Sequence, residues 1–208
     1  MTAYEEIYFL LIIALFGMST AMFSQSHLPL KNSFSLGGGL MWSINNSEGD
    51  FQDVAGNPTS AMLGLEYRHY FKNVLGLGVM YKHLTGNKSS NTLRCHYVGP
   101  TLTFRGLWAN NKQGFWGSLG LGYFHYKEDL YNQAPYSKSH YGVSGSLGYE
   151  FAMSKGVGLQ LRVDLIMADF NPSGGTFHPV GGNYYYYDEN WDSALNYFSI
   201  GIALVFGK

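Results

Sequence analysis

From Ser33 to Phe206 apolar and polar residues alternate, and a polar turn closes the alternation about once every twenty residues. A period of two places successive side chains on opposite faces of an extended strand, and no stretch carries the helical period. In GVGLQLRVDLIM, Gly156 to Met167, one parity holds Val157, Leu159, Leu161, Val163, Leu165 and Met167, and the other holds Gly158, Gln160, Arg162 and Asp164. Seven further rows repeat the device: SFSLGGGLMWS from Ser33, AMLGLEYRHYF from Ala61, LGLGVMYKHL from Leu75, HYVGPTLTFRG from His96, GSLGLGYFHY from Gly117, HYGVSGSLGYEF from His140 and YFSIGIALVF from Tyr197. The connections alternate too. Those at 44–59, 85–92, 128–137 and 168–193 are long or polar, whereas those at 72–74, 106–113 and 152–155 are mostly tighter. The pattern predicts an all-β, eight-stranded antiparallel up-and-down barrel with long loops at one end and tight turns at the other.

Which parity faces outward separates two architectures. A soluble sandwich or lipocalin-like barrel buries the apolar row; a membrane barrel exposes it. The polar parity is crowded with Gly37, Gly39, Gly64, Gly76, Gly78, Gly120, Gly122, Gly142, Ser144, Ser146 and Gly148. Glycine weakens a water-exposed strand for no gain, but it fits the narrow interior of an eight-stranded barrel. The same parity carries Glu66, Arg68, Lys82, Glu150, Arg162 and Asp164, three acids and three bases expected to form a polar network inside the barrel, with Glu66 and Lys82 as diagonal neighbours. Aromatic residues near row ends, among them Phe34, Trp42, Phe71, Tyr81, Tyr123, Tyr149, Phe151 and Phe206, suit interfacial girdles. Pro100 lacks a donor and a closed barrel has no free edge, so a bulge is expected near Gly99 and Pro100.

Composition narrows the function. The 208 residues carry 13 Lys and Arg against 14 Asp and Glu, a net charge of −1, which gives no basis for nucleic-acid binding. The single Cys95 has no partner for a disulfide or a thiolate metal site. At the N-terminus the apolar run from Ile7 to Met18 precedes small residues and reads as a signal peptide over 1–24, cleaved after Ala21 or Ser24. Glu5 and Glu6 stand where positive charge is usual, which keeps an uncleaved signal anchor as the alternative. Residues 25–32 then form a linker and 33–208 the barrel.

The whole stretch from Ser33 to Phe206 resembles the small eight-stranded outer-membrane barrels of the OmpA/OmpX-like group. The most specific element is GIALVF, Gly201 to Phe206, in which Gly201, Ile202, Leu204 and Phe206 are similar to the terminal signal read by the barrel-insertion machinery; here Gly207 and Lys208 follow the aromatic. The resemblance implies the outer membrane of a Gram-negative-type cell, with outer-membrane lipids and lipopolysaccharide as surroundings. A filled interior leaves little room for a pore, so the long loops are the candidate surface. In GGNYYYYDENWD, residues Tyr184, Tyr185, Tyr186, Tyr187 and Trp191 offer rigid aromatic area to an extracellular protein or glycan. No catalytic, cofactor or metal residues are assigned; Asp188, Glu189 and Asp192 lack a calcium-loop pattern. Two alternatives stand: a lipid A-modifying enzyme, although His69, His83, His96, His125 and His140 form no His-x-Ser pattern, and a soluble lipocalin-like carrier.

Overall fold

The computed structural model describes residues 31–44, 60–71, 74–88, 91–108, 111–129, 136–168, 177–180, 183–186 and 195–207. The expected signal peptide and all but the end of the linker lie outside them. Ten strands follow in order: β1 (Asn32–Ser43), β2 (Ala61–Tyr70), β3 (Leu75–Lys88), β4 (Asn91–Leu107), β5 (Gln113–Asp129), β6 (Tyr136–Ser154), β7 (Val157–Ala168), β8 (Phe177–Val180), β9 (Asn183–Tyr186) and β10 (Leu195–Gly207). Eight of them close an antiparallel barrel in the order β1-β10-β7-β6-β5-β4-β3-β2. The seam is β1 against β10, where Phe34 faces Phe206 and Leu36 faces Leu204. Strands β8 and β9 pair with each other as a separate hairpin within the predicted long loop.

The apolar rows face outward. Leu119, Leu121 and Leu147 are 63%, 69% and 62% exposed, whereas Arg68 and Lys82 on the other parity are fully buried. An apolar surface of this extent does not face water. On β5 the outward residues from Phe115 to Tyr123 span the roughly 9 to 11 residues that a tilted strand needs to cross a bilayer. This is the inside-out pattern of a membrane barrel, not that of a lipocalin-like carrier.

Past that belt, on the long-loop side, the alternation inverts. Along β5, outward Leu119, Leu121 and Tyr123 alternate with inward Ser118, Gly120 and Gly122; beyond Tyr123 the inward residues are Phe124 and Tyr126 and the outward ones His125, Lys127 and Asp129. On β4 the outward row passes from Phe104, Leu102, Pro100 and Val98 to His96 and Arg94, while the inward row passes from Thr103 and Thr101 to Tyr97, Cys95 and Leu93. Outside the hydrocarbon a strand pair obeys the ordinary soluble rule, with polar groups in water and apolar groups within.

That inversion explains two corrections. The segments 85–92 and 128–137 read as loops because their outward residues are polar. Most of 85–92 is strand, since β3 runs to Lys88 and β4 starts at Asn91, and both ends of 128–137 are strand, since β5 runs to Asp129 and β6 starts at Tyr136. On the opposite side the turns are tight. The Phe71 N–H donates to the Leu75 carbonyl at 3.0 Å, and the two-residue turn Lys155-Gly156 holds Gly156 at φ 74°, which glycine adopts without strain.

The bulge expected at Pro100 is absent. The β4–β5 pairing lapses between Val98↔Tyr123 and Thr101↔Gly120 but resumes in the same register, so no residue is inserted. Proline removes one donor without forcing an extra residue into the strand, and Pro100 still registers with Val79 of β3. The register shift occurs instead between Ala152 and Ser154 on β6.

Candidate functional site

The interior has two storeys. The lower one is ionic. Arg68 Nη1 lies 2.8 Å from Glu150 Oε1, Lys82 Nζ lies 2.9 Å from Asp164 Oδ1, and Arg162 meets Asp164 through Nη2 at 2.7 Å and Nε at 2.8 Å. Glu66 Oε2 stands 3.7 Å from Arg162 Nη1. Neutral donors join the cluster: Gln160 Nε2 donates to Glu150 at 2.6 Å and Ser146 Oγ to Asp164 at 2.5 Å. The Arg68 and Arg162 guanidinium groups lie over the Trp116 ring, 4.8 and 5.2 Å from its centroid. A Cβ at Gly148 would lie 2.5 Å from Trp116 Nε1, so the absence of a side chain there makes room for the indole.

All six predicted interior residues thus stand together, with different pairings from those their hairpins suggest. Lys82 is diagonal to Glu66 in the register, yet its ammonium reaches β6 and β7 instead, at Ser146 and Asp164. In a narrow closed barrel a long side chain meets the opposite wall as readily as its neighbour. A seventh charge went unassigned. Arg105 is buried on the same parity as Thr101 and Thr103, its guanidinium carbon 3.8 Å from the Tyr70 ring centroid. With Arg105 the described interior holds four bases, Arg68, Lys82, Arg105 and Arg162, against three acids, Glu66, Glu150 and Asp164, so the expected neutral sum does not hold.

The upper storey is apolar. Met41, Met62, Met80, Leu84, Leu93, Cys95, Tyr97, Phe124, Tyr126, Ile166, Ala168 and Tyr197 form one buried cluster on the long-loop side. Tyr97 lies against Gly122, where a Cβ would fall 2.7 Å from the ring. Reading the inward parity as uniformly polar hides this plug. Its signal was present in Met62, Met80, Tyr97 and Phe124, large residues on the glycine-rich parity near one end of consecutive strands.

On the outer wall, just above the belt, three histidines lie side by side. His83 of β3 registers with His96 of β4, and His96 with His125 of β5. The Nδ1 atoms of His83 and His96 are 3.4 Å apart, Tyr81 Oη is 2.9 Å from His96 Nδ1, and Ser139 Oγ is 2.8 Å from His125 Nδ1. Burial, and then the adjacent His83, His125 and Arg94, push the His96 imidazole below its ordinary value. The row is not legible in the sequence, because pairing across strands is not written in sequence spacing. Among the described residues no group of three His, Cys, Asp or Glu side chains is arranged to hold a metal.

Ile202, Leu204 and Phe206 point outward from β10, and Gly201 faces Gly39 across the seam. Of the aromatic loop residues, Tyr184, Tyr185 and Tyr186 lie in β9, registered with Pro179, His178 and Phe177; Tyr187 and Trp191 lie outside the described residues.

No protein-family model and no curated protein matches the chain. Solved structures do. Neisserial surface protein A aligns with a TM-score of 0.59 and 9% identity, over 85% of this chain and 97% of its own. Outer membrane protein OprG of Pseudomonas aeruginosa aligns at 0.52 and 15%, over 88% and 99%. The attachment invasion locus protein Ail of Yersinia pestis aligns at 0.51 and 15%, over 86% and 99%. The chain has the fold of the small eight-stranded outer-membrane barrels.

Proposed function

We propose that the chain is a non-enzymatic outer-membrane protein of a Gram-negative-type cell, with a shut interior, that acts structurally or in adhesion and recognition through its long-loop side. One observation carries this reading: the inverted stretches of β3 to β6 form a β-wall that rises past the lipid belt with an apolar core inside and polar residues outside. A pore would not fill its lumen with Trp116, an ion cluster and twelve packed apolar residues. A rigid wall instead presents loops at low entropic cost. Ail of Yersinia pestis has been solved in complex with the heparin analogue sucrose octasulfate, which makes a sulfated glycan the first probe for this chain. Cells displaying the protein are expected to bind immobilised heparin or an extracellular-matrix protein, and to lose that binding when 85–92 and 128–137 are replaced by short turns. Binding that survives both replacements, or no binding by the intact chain, would count against a recognition role.

A second reading draws on the Ser139 and His125 contact at the membrane rim. A serine hydroxyl beside an imidazole is the core of an acyl-ester hydrolase. Among the described residues no carboxylate contacts His125, however, so the orienting third group is lacking. Fatty-acid release from lipid A that disappears in Ser139→Ala would favour this reading over the first.

A further inference from the structure

The histidine row is part of a larger outward patch that spans three strands. Above it Arg94, exposed on β4, registers with Lys127 of β5 and Thr85 of β3. Lys127 Nζ reaches Asp129 Oδ1 at 3.3 Å, in water, and Ser139 of β6 closes the side next to His125. Among the described side chains Asp129 is the one acid paired within this patch, and His83, His96, His125, Arg94 and Lys127 are its titratable or permanent bases. Tyr81 and Tyr123 lie one outward position lower, at the upper edge of the belt.

Directly beneath lies a groove of 920 Å³ in the lipid-facing wall, lined by Val98, Pro100, Leu121, Tyr123, Tyr141 and Val143 among others. It sits where the β4–β5 pairing lapses at Gly99 and Pro100. Tyr141 is 84% exposed and meets the Tyr123 ring edge-on, with centroids 6.4 Å apart. The groove therefore opens sideways into hydrocarbon, and the basic row caps its upper end.

We propose that this patch and groove bind one anionic, phosphate-bearing membrane lipid of the long-loop leaflet: His96, His125, Arg94 and Lys127 take the phosphate, and an acyl chain lies along Val98, Pro100, Leu121 and Val143. The proposal rests on the membrane reading given above and names a partner for its rim. Charge complementarity selects the occupant, because a row with one paired acid and five bases attracts an anion at the depth where lipid phosphates lie. The neighbouring imidazoles disfavour protonation of His96, and a phosphate beside it reverses that preference. Binding accordingly takes up protons and tightens as pH falls through the ordinary imidazole range.

The test uses the full chain in a neutral detergent, with native mass spectrometry counting bound dioleoyl phosphatidic acid against dioleoyl phosphatidylcholine. The expected result is one phosphatidic acid per barrel, held roughly tenfold more tightly than phosphatidylcholine and more tightly at about pH 6 than at about pH 8. Replacing Arg94, His96 and His125 by Gln, Asn and Asn should remove that selectivity and the pH dependence together. Filling the groove with Leu121→Trp should weaken the lipid through its chain while the basic row stays intact, which gives a second arm should the triple variant not fold. Inorganic phosphate at equal concentration should not displace the lipid; displacement would mean a phosphate site without a lipid component and would overturn the proposal. Equal binding of both lipids, unchanged selectivity in the folded triple variant, or unchanged affinity in Leu121→Trp would overturn it as well. A chain that needs no detergent to stay folded would instead sink the membrane reading itself.

Discussion

At the scale of single residues the interior is a set of charges that tolerate no loss of partners. Lys82 and Arg68 are fully buried and each meets a carboxylate at hydrogen-bond distance. Removing one member strands the other in a low-dielectric lumen, so Arg68→Met and Lys82→Met should each cost about 3 to 5 kcal/mol, read from reversible urea unfolding in lipid vesicles. A cost near zero would mean that water solvates the cluster. Gly148 is a steric counterpart. A methyl there would press on Trp116, and Gly148→Ala should cost about 1 to 3 kcal/mol in the same assay. His96 offers a pH signature outside the membrane. Its folded-state value is depressed, first by burial and then by His83, His125 and Arg94, so its contribution to stability is complete above the ordinary imidazole value and declines as pH falls through the depressed one. An NMR titration of the protein in neutral detergent without phospholipid should place the His96 midpoint below about 6.5, and His83→Asn should raise it. A midpoint that ignores His83 would show that the row does not interact.

At the scale of elements, one strand obeys two rules. Below Tyr123 strand β5 shows its apolar residues to lipid; above it the apolar residues turn inward. A charge should therefore be costly at one height and harmless at another on the same face. Leu119→Arg, at the middle of the outward belt, should cost about 2 to 4 kcal/mol, whereas Thr92→Arg on the extended part of β4 should lie within about 0.5 kcal/mol of the parent. The rows, their count and the outward parity were legible in the sequence because period two is a local property. The strand extensions were not. In FHYKED the row runs into what reads as a polar connection unless its inward members, Phe124 and Tyr126, are already known to join Tyr197 and Leu93 of other strands in one buried cluster. The Pro100 region failed for a related reason: a missing donor signals a disturbed ladder without saying whether a residue is inserted or a pair is simply lost.

The whole molecule is a closed wall around an ionic lower storey and an apolar upper one, with polar extensions standing clear of the bilayer. The six interior charges were readable as a set because they share a parity, but their partners depend on barrel closure, which brings β3 opposite β7 across the lumen. Reconstituted in a planar bilayer, the protein should give no steady conductance, and Tyr97→Ala with Tyr126→Ala should loosen the upper plug without opening the ionic storey. The most direct test of the account is a nitroxide scan of residues 115–129 on β5, in lipid vesicles and a Cys95→Ala background. Odd positions from Phe115 to Tyr123 should collide with oxygen dissolved in the bilayer, and His125, Lys127 and Asp129 with a water-soluble nickel chelate, while Phe124 and Tyr126 are shielded from both. Oxygen access at the even positions, or an apolar belt that meets the nickel chelate along its length, would contradict the inside-out barrel on which the rest depends.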